Sequence, residues 1–308
     1  MPRLNAPTQW KRRIRAGFTL AELLATMTLL GVIGTVVAKL MMGQQRFYQR
    51  QNEQLGVRRE LRTAMSIVPA DLRGVSSSGG DLIAFDESSV TFRNVLGASI
   101  ACAKGAATVD VPPLNMARNS LTNWYTQPMP GDSVFVFDEG PLRGAEDDRW
   151  VGAAISGYSA SAAFCPASVY TDAILDATKV RYRFVTSPAL PATVIVGAGI
   201  RFVRSTRYSL SAGPSGKYYL ARAEYSGGWS VPTPVSGPYE PPAPGGGGVQ
   251  FAFFDSTGAA VTSVANSRSV ARIDLLIRAT GASTSGDLGS GTAVKDSLAF
   301  RIALRNRQ

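Results

Sequence analysis

The chain has 308 residues, of which 45% are hydrophobic and 18% charged, and its formal net charge is +10. It contains no histidine, which excludes Ser-His-Asp and Cys-His catalysis and removes the commonest metal ligand of proteins. The two cysteines, Cys102 and Cys165, form no Cys-x-x-Cys motif, so the sequence predicts neither a zinc knuckle nor a thioredoxin-like site.

A basic segment precedes an apolar one at the N-terminus. Five cations and no acid occupy the first seventeen residues: Arg3, Lys11, Arg12, Arg13 and Arg15. After Gly17 an apolar run extends from Phe18 to Met42. A helix of that length, about 37 Å, spans a hydrocarbon layer of about 30 Å. The basic flank predicts a cytoplasmic N-terminus.

Glu22 interrupts the apolar run near its start, where a carboxylate in lipid is unfavourable. A buried carboxylate of this kind needs a partner. The nearest cation on the same helix, Lys39, lies about 25 Å away along the axis. If the chain were cut after Gly17, Phe18 would carry a free amine, and a neighbouring subunit could supply that amine as the counter-ion.

The run GFTLAELL, from Gly17 to Leu24, resembles the type IV prepilin signature. In that family a prepilin peptidase cuts after the glycine and methylates the new N-terminal phenylalanine, and a glutamate early in the mature chain is characteristic. The resemblance assigns these roles to Gly17, Phe18 and Glu22. It implies a leader peptide at residues 1–17 and a precursor that crosses the inner membrane once, with a periplasmic head. That precursor would then enter a pilus or pseudopilus filament.

Two other interpretations of the N-terminus remain. A plain signal anchor would explain the basic flank and the apolar run, but not Glu22. A secretory signal cleaved after Ala38, in Val36-Val37-Ala38, has acceptable small residues. That cleavage, however, would discard the segment that carries the prepilin-like pattern.

The N-terminal helix is predicted to continue beyond the membrane, through residues 43–75. Apolar residues recur there at helical spacing: Leu61, Met65, Val68 and Leu72, extended less regularly by Phe47 and Leu55. Pro69 should kink this amphipathic half or mark a break near its end. We expect its apolar stripe to pack on a sheet.

Residues 76–308 are predicted to form a β-rich head after a linker at Ser76–Gly80. Strand-like segments follow at 89–95, 133–138, 179–186, 200–210, 217–225, 249–254, 270–278 and 297–304. The segments 200–210 and 217–225 flank a Gly/Pro turn and predict a hairpin. The fold class is therefore α+β: a long N-terminal helix, half transmembrane and half amphipathic, packed on an antiparallel β-rich head.

Three local patterns in the head carry further predictions. In one strand, Val180, Tyr182 and Phe184 alternate with Lys179, Arg181 and Arg183, which predicts an apolar and a cationic face. Pro232–Gly248 is rich in Pro and Gly, and Gly281–Thr292 is rich in Gly, Ser and Thr. Both are predicted to be flexible loops.

Segments at 200–208, 219–222, 249–258 and 300–306 resemble the C-terminal half of PilW-type minor pilins and J-type pseudopilins. This implies a minor subunit that primes assembly or caps a type IV pilus or a type II secretion pseudopilus. Its partners would be other pilin or pseudopilin subunits, through the N-terminal helix, and the prepilin peptidase. A tip adhesin or DNA-uptake module on the same anchor is the alternative. A membrane-anchored enzyme is disfavoured, because no paired-acid or nucleophile motif is evident.

Cys102 and Cys165 would leave the cytoplasm with the head, where disulfides persist. We therefore expect them to be bridged, two separate buried thiols being the alternative. Acidic residues cluster in one loop region: Asp138, Glu139, Glu146, Asp147 and Asp148. Their spacing matches no EF-hand, so solvated carboxylates are favoured, and neither a metal nor another cofactor is predicted.

Tyrosine and arginine interleave between Arg201 and Tyr225. Such a pattern can bind single-stranded nucleic acid. It is also the pattern of an amphipathic strand, which is the commoner case, so nucleic acid is not expected as a partner.

We predict that the mature chain begins at Phe18, because Gly17 stands between the basic leader and the apolar run. N-terminal sequencing or mass spectrometry of the membrane-bound form measures this. A mature chain that begins at Lys39 would instead identify a secretory signal.

Overall fold

The computed structural model describes residues 17, 19–142, 144–165, 169–213, 215–244, 247–281 and 294–304. Residues 1–16 of the predicted leader and Phe18 therefore lie outside the described residues. The same holds for residues 282–292 of the loop predicted at Gly281–Thr292.

One long helix, α1 (Leu20–Leu72), begins the described chain. Its side chains are exposed as far as Asn52, and its C-terminal part is buried against the head through Val57, Leu61, Ala64, Val68 and Leu72. These residues repeat every three or four positions, so they lie on one helix face. The predicted amphipathic half is thus confirmed from Val57 onward, whereas Phe47 and Leu55 remain exposed. Pro69 lies in the last turn, and the helix ends three residues after it.

Fourteen strands are described after α1, and each pairing between them is antiparallel. They are β1 (Leu82–Phe85), β2 (Ser89–Ile100), β3 (Ala103–Lys104), β4 (Thr108–Val111), β5 (Asn123–Trp124), β6 (Ser133–Asp138), β7 (Arg149–Ser161), β8 (Arg181–Ser187), β9 (Gly199–Ala212), β10 (Tyr218–Glu224), β11 (Thr233–Tyr239), β12 (Val249–Phe254), β13 (Arg272–Thr280) and β14 (Lys295–Ala303). A short 3₁₀ helix, Val264–Ser269, precedes β13. The α+β prediction is confirmed.

Strand β9 is the centre of the sheet. It pairs along one edge with β2, and along the other with β6 and then β10. The sheet continues from β6 through β7, β8 and β4 to β3, and from β10 through β11 and β13 to β12, with β14 on the other edge of β13. The predicted hairpin is confirmed as β9–β10, with Ala212 opposite Tyr218.

The head has two hydrophobic cores, and β2 and β9 contribute to both. The first, which we call the helix core, packs α1 against β1, β2 and β9–β14 and includes Phe92, Tyr208 and Ile273. The second core lies among β2, β4 and β6–β9 and includes Phe184 and Phe202. Because α1 contributes only to the first, the helix is fixed to one part of the sheet.

Hydrogen bonds fasten α1 to the sheet beside this apolar packing. The Tyr208 hydroxyl donates to Asp71 Oδ2 at 2.7 Å, from a fully buried ring. The Tyr239 hydroxyl donates to the Glu60 carbonyl oxygen at 3.3 Å, and the Gly237 N–H donates to Glu60 Oε2 at 3.1 Å. We call these contacts the helix clamp.

Two local predictions were wrong. The linker at Ser76–Gly80 is not one of them: it is a turn between α1 and β1, although Ser76 and Ser77 are buried there, and Asp81 Oδ2 accepts a hydrogen bond from the Ser76 N–H. Thr233–Tyr239, placed in a flexible loop, is strand β11. It accommodates Pro234 and Pro238 with irregular register against β10, as proline in a strand requires.

Arg181 is the other correction. It was predicted on a cationic face of its strand, opposite an apolar face that included Val180, but only 2% of Arg181 is exposed and Val180 is the exposed neighbour. The guanidinium donates to the carbonyl oxygens of Ala162 at 2.6 Å and Asp176 at 3.0 Å. A buried arginine of this kind is stabilised by collecting carbonyl groups from a loop.

We predict that Tyr208→Phe lowers the free energy of unfolding by about 1–2 kcal/mol, because Asp71 loses a buried hydrogen bond. Thermal unfolding of the full chain in detergent micelles measures this. Tyr125→Phe is the matched control, since Tyr125 is 69% exposed.

This difference should also depend on pH. Burial, and then the Asp71 charge, raise the pKa of Tyr208, so its contribution is complete below the unfolded-state pKa of about 10 and declines above it. The gap between wild type and Tyr208→Phe should therefore shrink in alkali. Equal stability of the two proteins at pH 8 would contradict the clamp.

Candidate assembly interface

The N-terminal end of α1 holds the residues predicted for assembly. Thr19 is the N-cap, and its Oγ1 accepts a hydrogen bond from the Glu22 N–H at 3.3 Å. In return, Glu22 Oε2 accepts one from the Thr19 N–H, also at 3.3 Å. This reciprocal capping box satisfies two N–H groups that the helix leaves free. Gly17 is exposed just before it, and Phe18 is outside the described residues.

The capping box gives Glu22 a second role, which the charge argument from the sequence missed. The signal was available, because Thr-x-x-Glu before an apolar run is the sequence pattern of a capping box. The helix dipole also favours a negative charge in the first turn. The capping hydrogen bond and the helix dipole both stabilise the carboxylate without neutralising its charge. Within the part of the chain that the structure describes, no cation forms an ion pair with Glu22.

Beyond Glu22, the first half of α1 presents an apolar surface on all sides. Leu23, Met27, Leu30, Ile33 and Val37 are examples, each with about half or more of its surface exposed. By length and composition this helix can cross a membrane. The head buries none of this segment, so the segment needs lipid or other helices around it.

Three threonines in the apolar segment do not disrupt it. The hydroxyls of Thr26, Thr28 and Thr35 donate to the carbonyl oxygens three residues earlier, at 2.8–2.9 Å. Hydroxyl groups satisfied within the helix are compatible with lipid or with closely packed neighbouring helices.

The structure joins Cys102 and Cys165 in a disulfide, with Cα atoms 5.8 Å apart. Both residues are buried. The bridge ties the loop after β7 to the turn between β2 and β3. Arg181 holds the same loop through its hydrogen bonds to Ala162 and Asp176, so the loop is anchored at two points.

The acidic residues predicted near one loop do not converge on one point. Asp138 is buried at the end of β6, with Oδ2 3.6 Å from Arg149 Nε, and Asp147 Oδ2 accepts a hydrogen bond from the Leu142 N–H. Glu139, Glu146 and Asp148 are exposed. Within the described residues, no group of three or more acids or cysteines is placed to hold a metal ion.

The arginines interleaved with tyrosine on β9 and β10 are engaged inside the head. Arg204 forms ion pairs with Asp132 at 2.7 Å and Glu224 at 3.0 Å, and its hydrogen bond to Asp132 is the main reason that its pKa is raised. Arg201 pairs with Asp81 at 3.3 Å. Arg207 lies over the Trp229 ring, 4.2 Å from its centroid. Each of these three arginines therefore has a partner within the described part of the head.

Comparison with known proteins places one familiar element in the chain. Residues 12–38 match the family model described as the prokaryotic N-terminal methylation motif. No curated protein and no solved structure matches the chain significantly. The match covers the end of the predicted leader, the capping box and the apolar run as far as Ala38, and it does not extend into the head.

We predict that Cys102 and Cys165 are bridged in the protein as isolated from cells. A non-reducing gel should show a mobility shift on reduction, and Cys102→Ser should abolish that shift. By the loop-entropy model, the bridge contributes about 4 kcal/mol to the free energy of unfolding. Labelling of both thiols in the native oxidised protein would contradict the prediction.

Proposed function

We propose that this chain, a type IV prepilin-like protein by the motif at residues 12–38, is a minor pilin or pseudopilin. It would prime the assembly of a type IV pilus or type II secretion pseudopilus, or cap it. The observation that supports this most is the division of α1. Its first half is capped, apolar and unpartnered, and its last third is clamped to a β-rich head.

In this scheme, cleavage after Gly17 removes the basic leader from a membrane-anchored precursor. The leader lies in the cytoplasm and the head in the periplasm, an oxidising compartment in which a Cys102–Cys165 bridge persists. Assembly then moves the apolar half of α1 from lipid into a core of neighbouring helices, because both surroundings are apolar.

The role of the head is structural. The motif belongs to a family of structural subunits, and charged groups on β9 and β10 form ion pairs with each other and with Asp132. The DNA-uptake alternative is weakened for the same reason, since its candidate arginines already have partners.

Glu22 is proposed to guide assembly through its charge. A lone carboxylate in the membrane costs a few kcal/mol on insertion scales, and the capping box reduces this without removing the charge. The amine of Phe18 on an adjacent subunit, free after cleavage, would neutralise it. A subunit would then enter the filament at the axial position where its carboxylate meets that amine.

We predict that Glu22→Gln impairs incorporation into filaments. Glutamine can retain the capping box, but it carries no negative charge and cannot form an ion pair with the N-terminal amine of an adjacent subunit. Glu22→Leu should behave similarly while leaving membrane insertion and cleavage largely intact. The measurement compares variant and wild-type protein in sheared filament fractions at matched membrane levels.

Thr19→Ala is the control, because it removes the capping hydroxyl and keeps the carboxylate. It should incorporate nearly as well as wild type. If Thr19→Ala fails and Glu22→Gln succeeds, capping is the essential role and the pairing argument is wrong. Loss of cleavage in the Glu22 variants would instead mean that the peptidase recognises Glu22.

A further inference from the structure

Residues 43–52 of α1 lie between the apolar segment and the part of the helix that packs on the head, and the head buries none of them. They are all helical and exposed, and the first residue buried against the head is Val57. We call this stretch the neck. Its sequence, GQQRFYQRQN, contains two arginines, Arg46 and Arg50, and two aromatic residues.

All charged side chains from Leu23 to Asn52 are positive. From Leu23 to Asn52 the sequence contains no acid, whereas Lys39, Arg46 and Arg50 are cationic. Among the described residues, none of the three has an ion-pair partner. They are seven and four positions apart, so at 3.6 residues per turn they lie within an arc of about 40°. We call them the neck stripe.

The depth of the stripe matches the membrane surface. With Leu20 at the inner boundary of a hydrocarbon layer of about 30 Å, twenty helical residues place Lys39 at the outer boundary. Arg46 and Arg50 follow about 10 and 16 Å further out. Side chains on a helix point back toward its N-terminus, so both guanidinium groups reach toward the lipid headgroups. Phe47 and Tyr48, both exposed, lie between the two arginines in the chain, about 12 and 14 Å beyond Lys39.

The stripe faces the same way as the head. Val57 is eleven positions after Arg46 and seven after Arg50, so it lies within about 20° of both around the helix axis. The face of α1 that packs on the head is therefore the face that carries the stripe lower down. Arg59 and Arg62 point to the opposite side of the helix, roughly 120–180° away from the stripe.

We propose that the neck stripe binds the phosphate groups of anionic phospholipids in the outer leaflet of the membrane. This proposal rests on the proposed membrane orientation, which places these cations on the periplasmic side. The positive-inside rule favours cations on the cytoplasmic side, so it does not explain them. Lys39, Arg46 and Arg50 set the depth and rotation of α1 and fix the direction of the head before assembly. Extraction into a filament breaks these contacts.

The test uses the full-length chain in nanodiscs made from equal amounts of phosphatidylethanolamine and phosphatidylglycerol. Native mass spectrometry counts the lipids that remain bound when the protein is released. Wild type should retain phosphatidylglycerol in preference. The double variant Arg46→Gln/Arg50→Gln should retain on the order of tenfold less, since each cation near the surface contributes to anionic-lipid binding.

Arg59→Gln/Arg62→Gln is the matched control. It removes the same charge from residues that lie further from the membrane and on the helix face opposite the neck stripe, so it should behave as wild type. All four arginines are exposed, so equal thermal unfolding of both doubles serves as the folding check. The proposal is overturned if wild type shows no lipid preference, or if both doubles change equally.

A further outcome would assign the stripe to a different occupant. If Arg46→Gln/Arg50→Gln keeps its phosphatidylglycerol but fails to enter filaments, the stripe contacts an acidic surface of a neighbouring subunit and not lipid. The lipid measurement uses the isolated subunit, so its result does not depend on whether the chain is a filament subunit at all.

Discussion

The continuity of α1 is the constraint on which the rest of the molecule depends. One helix of 53 residues must be stable in an apolar medium at one end and on a protein surface at the other. The apolar half has no partner in the head, so lipid or neighbouring helices must surround it. The part of α1 from Val57 to Leu72 must be fixed on the sheet. If it could move there, the position of the head would no longer follow the position of the apolar segment.

The helix clamp meets that second requirement. The buried apolar side chains select one face of the helix, and Asp71 and Glu60 add specific partners in Tyr208 and Gly237. A shift of one turn would leave these buried or half-buried polar groups without partners, and each loss costs about 1–3 kcal/mol. The hydrogen bonds thus fix the register that the hydrophobic stripe only favours.

Much of this could be predicted from the sequence, and the failures have physical causes. The helix was predictable because an apolar run of membrane-spanning length is followed by a stripe from Leu61 to Leu72 at helical spacing, and β6 and β12 because they are short β-rich runs. Strand β11 was missed because its two prolines argue against a ladder, which only its tertiary neighbours overrule. The buried positions of Ser77 and Arg181 depend on a distant carbonyl in each case, at Val270 and Ala162. Local pattern holds no information about such partners.

The candidate assembly interface also has features that the sequence predicts and features that only the structure shows. Gly17 and Glu22 are predictions from the sequence, because a small residue joins a basic segment to an apolar run and a single acid interrupts that run near its start. The meaning of Glu22 is richer in the structure, because the carboxylate already accepts a hydrogen bond from its own N-cap residue. In the proposed function, such a bond would lower the cost of the charge while the precursor is in the membrane, and it would leave that charge available to a partner. A carboxylate held only by this bond would suit assembly better than one without any hydrogen bond, which would resist insertion. It would also suit assembly better than one in a permanent ion pair, which would resist exchange for the amine of an adjacent subunit.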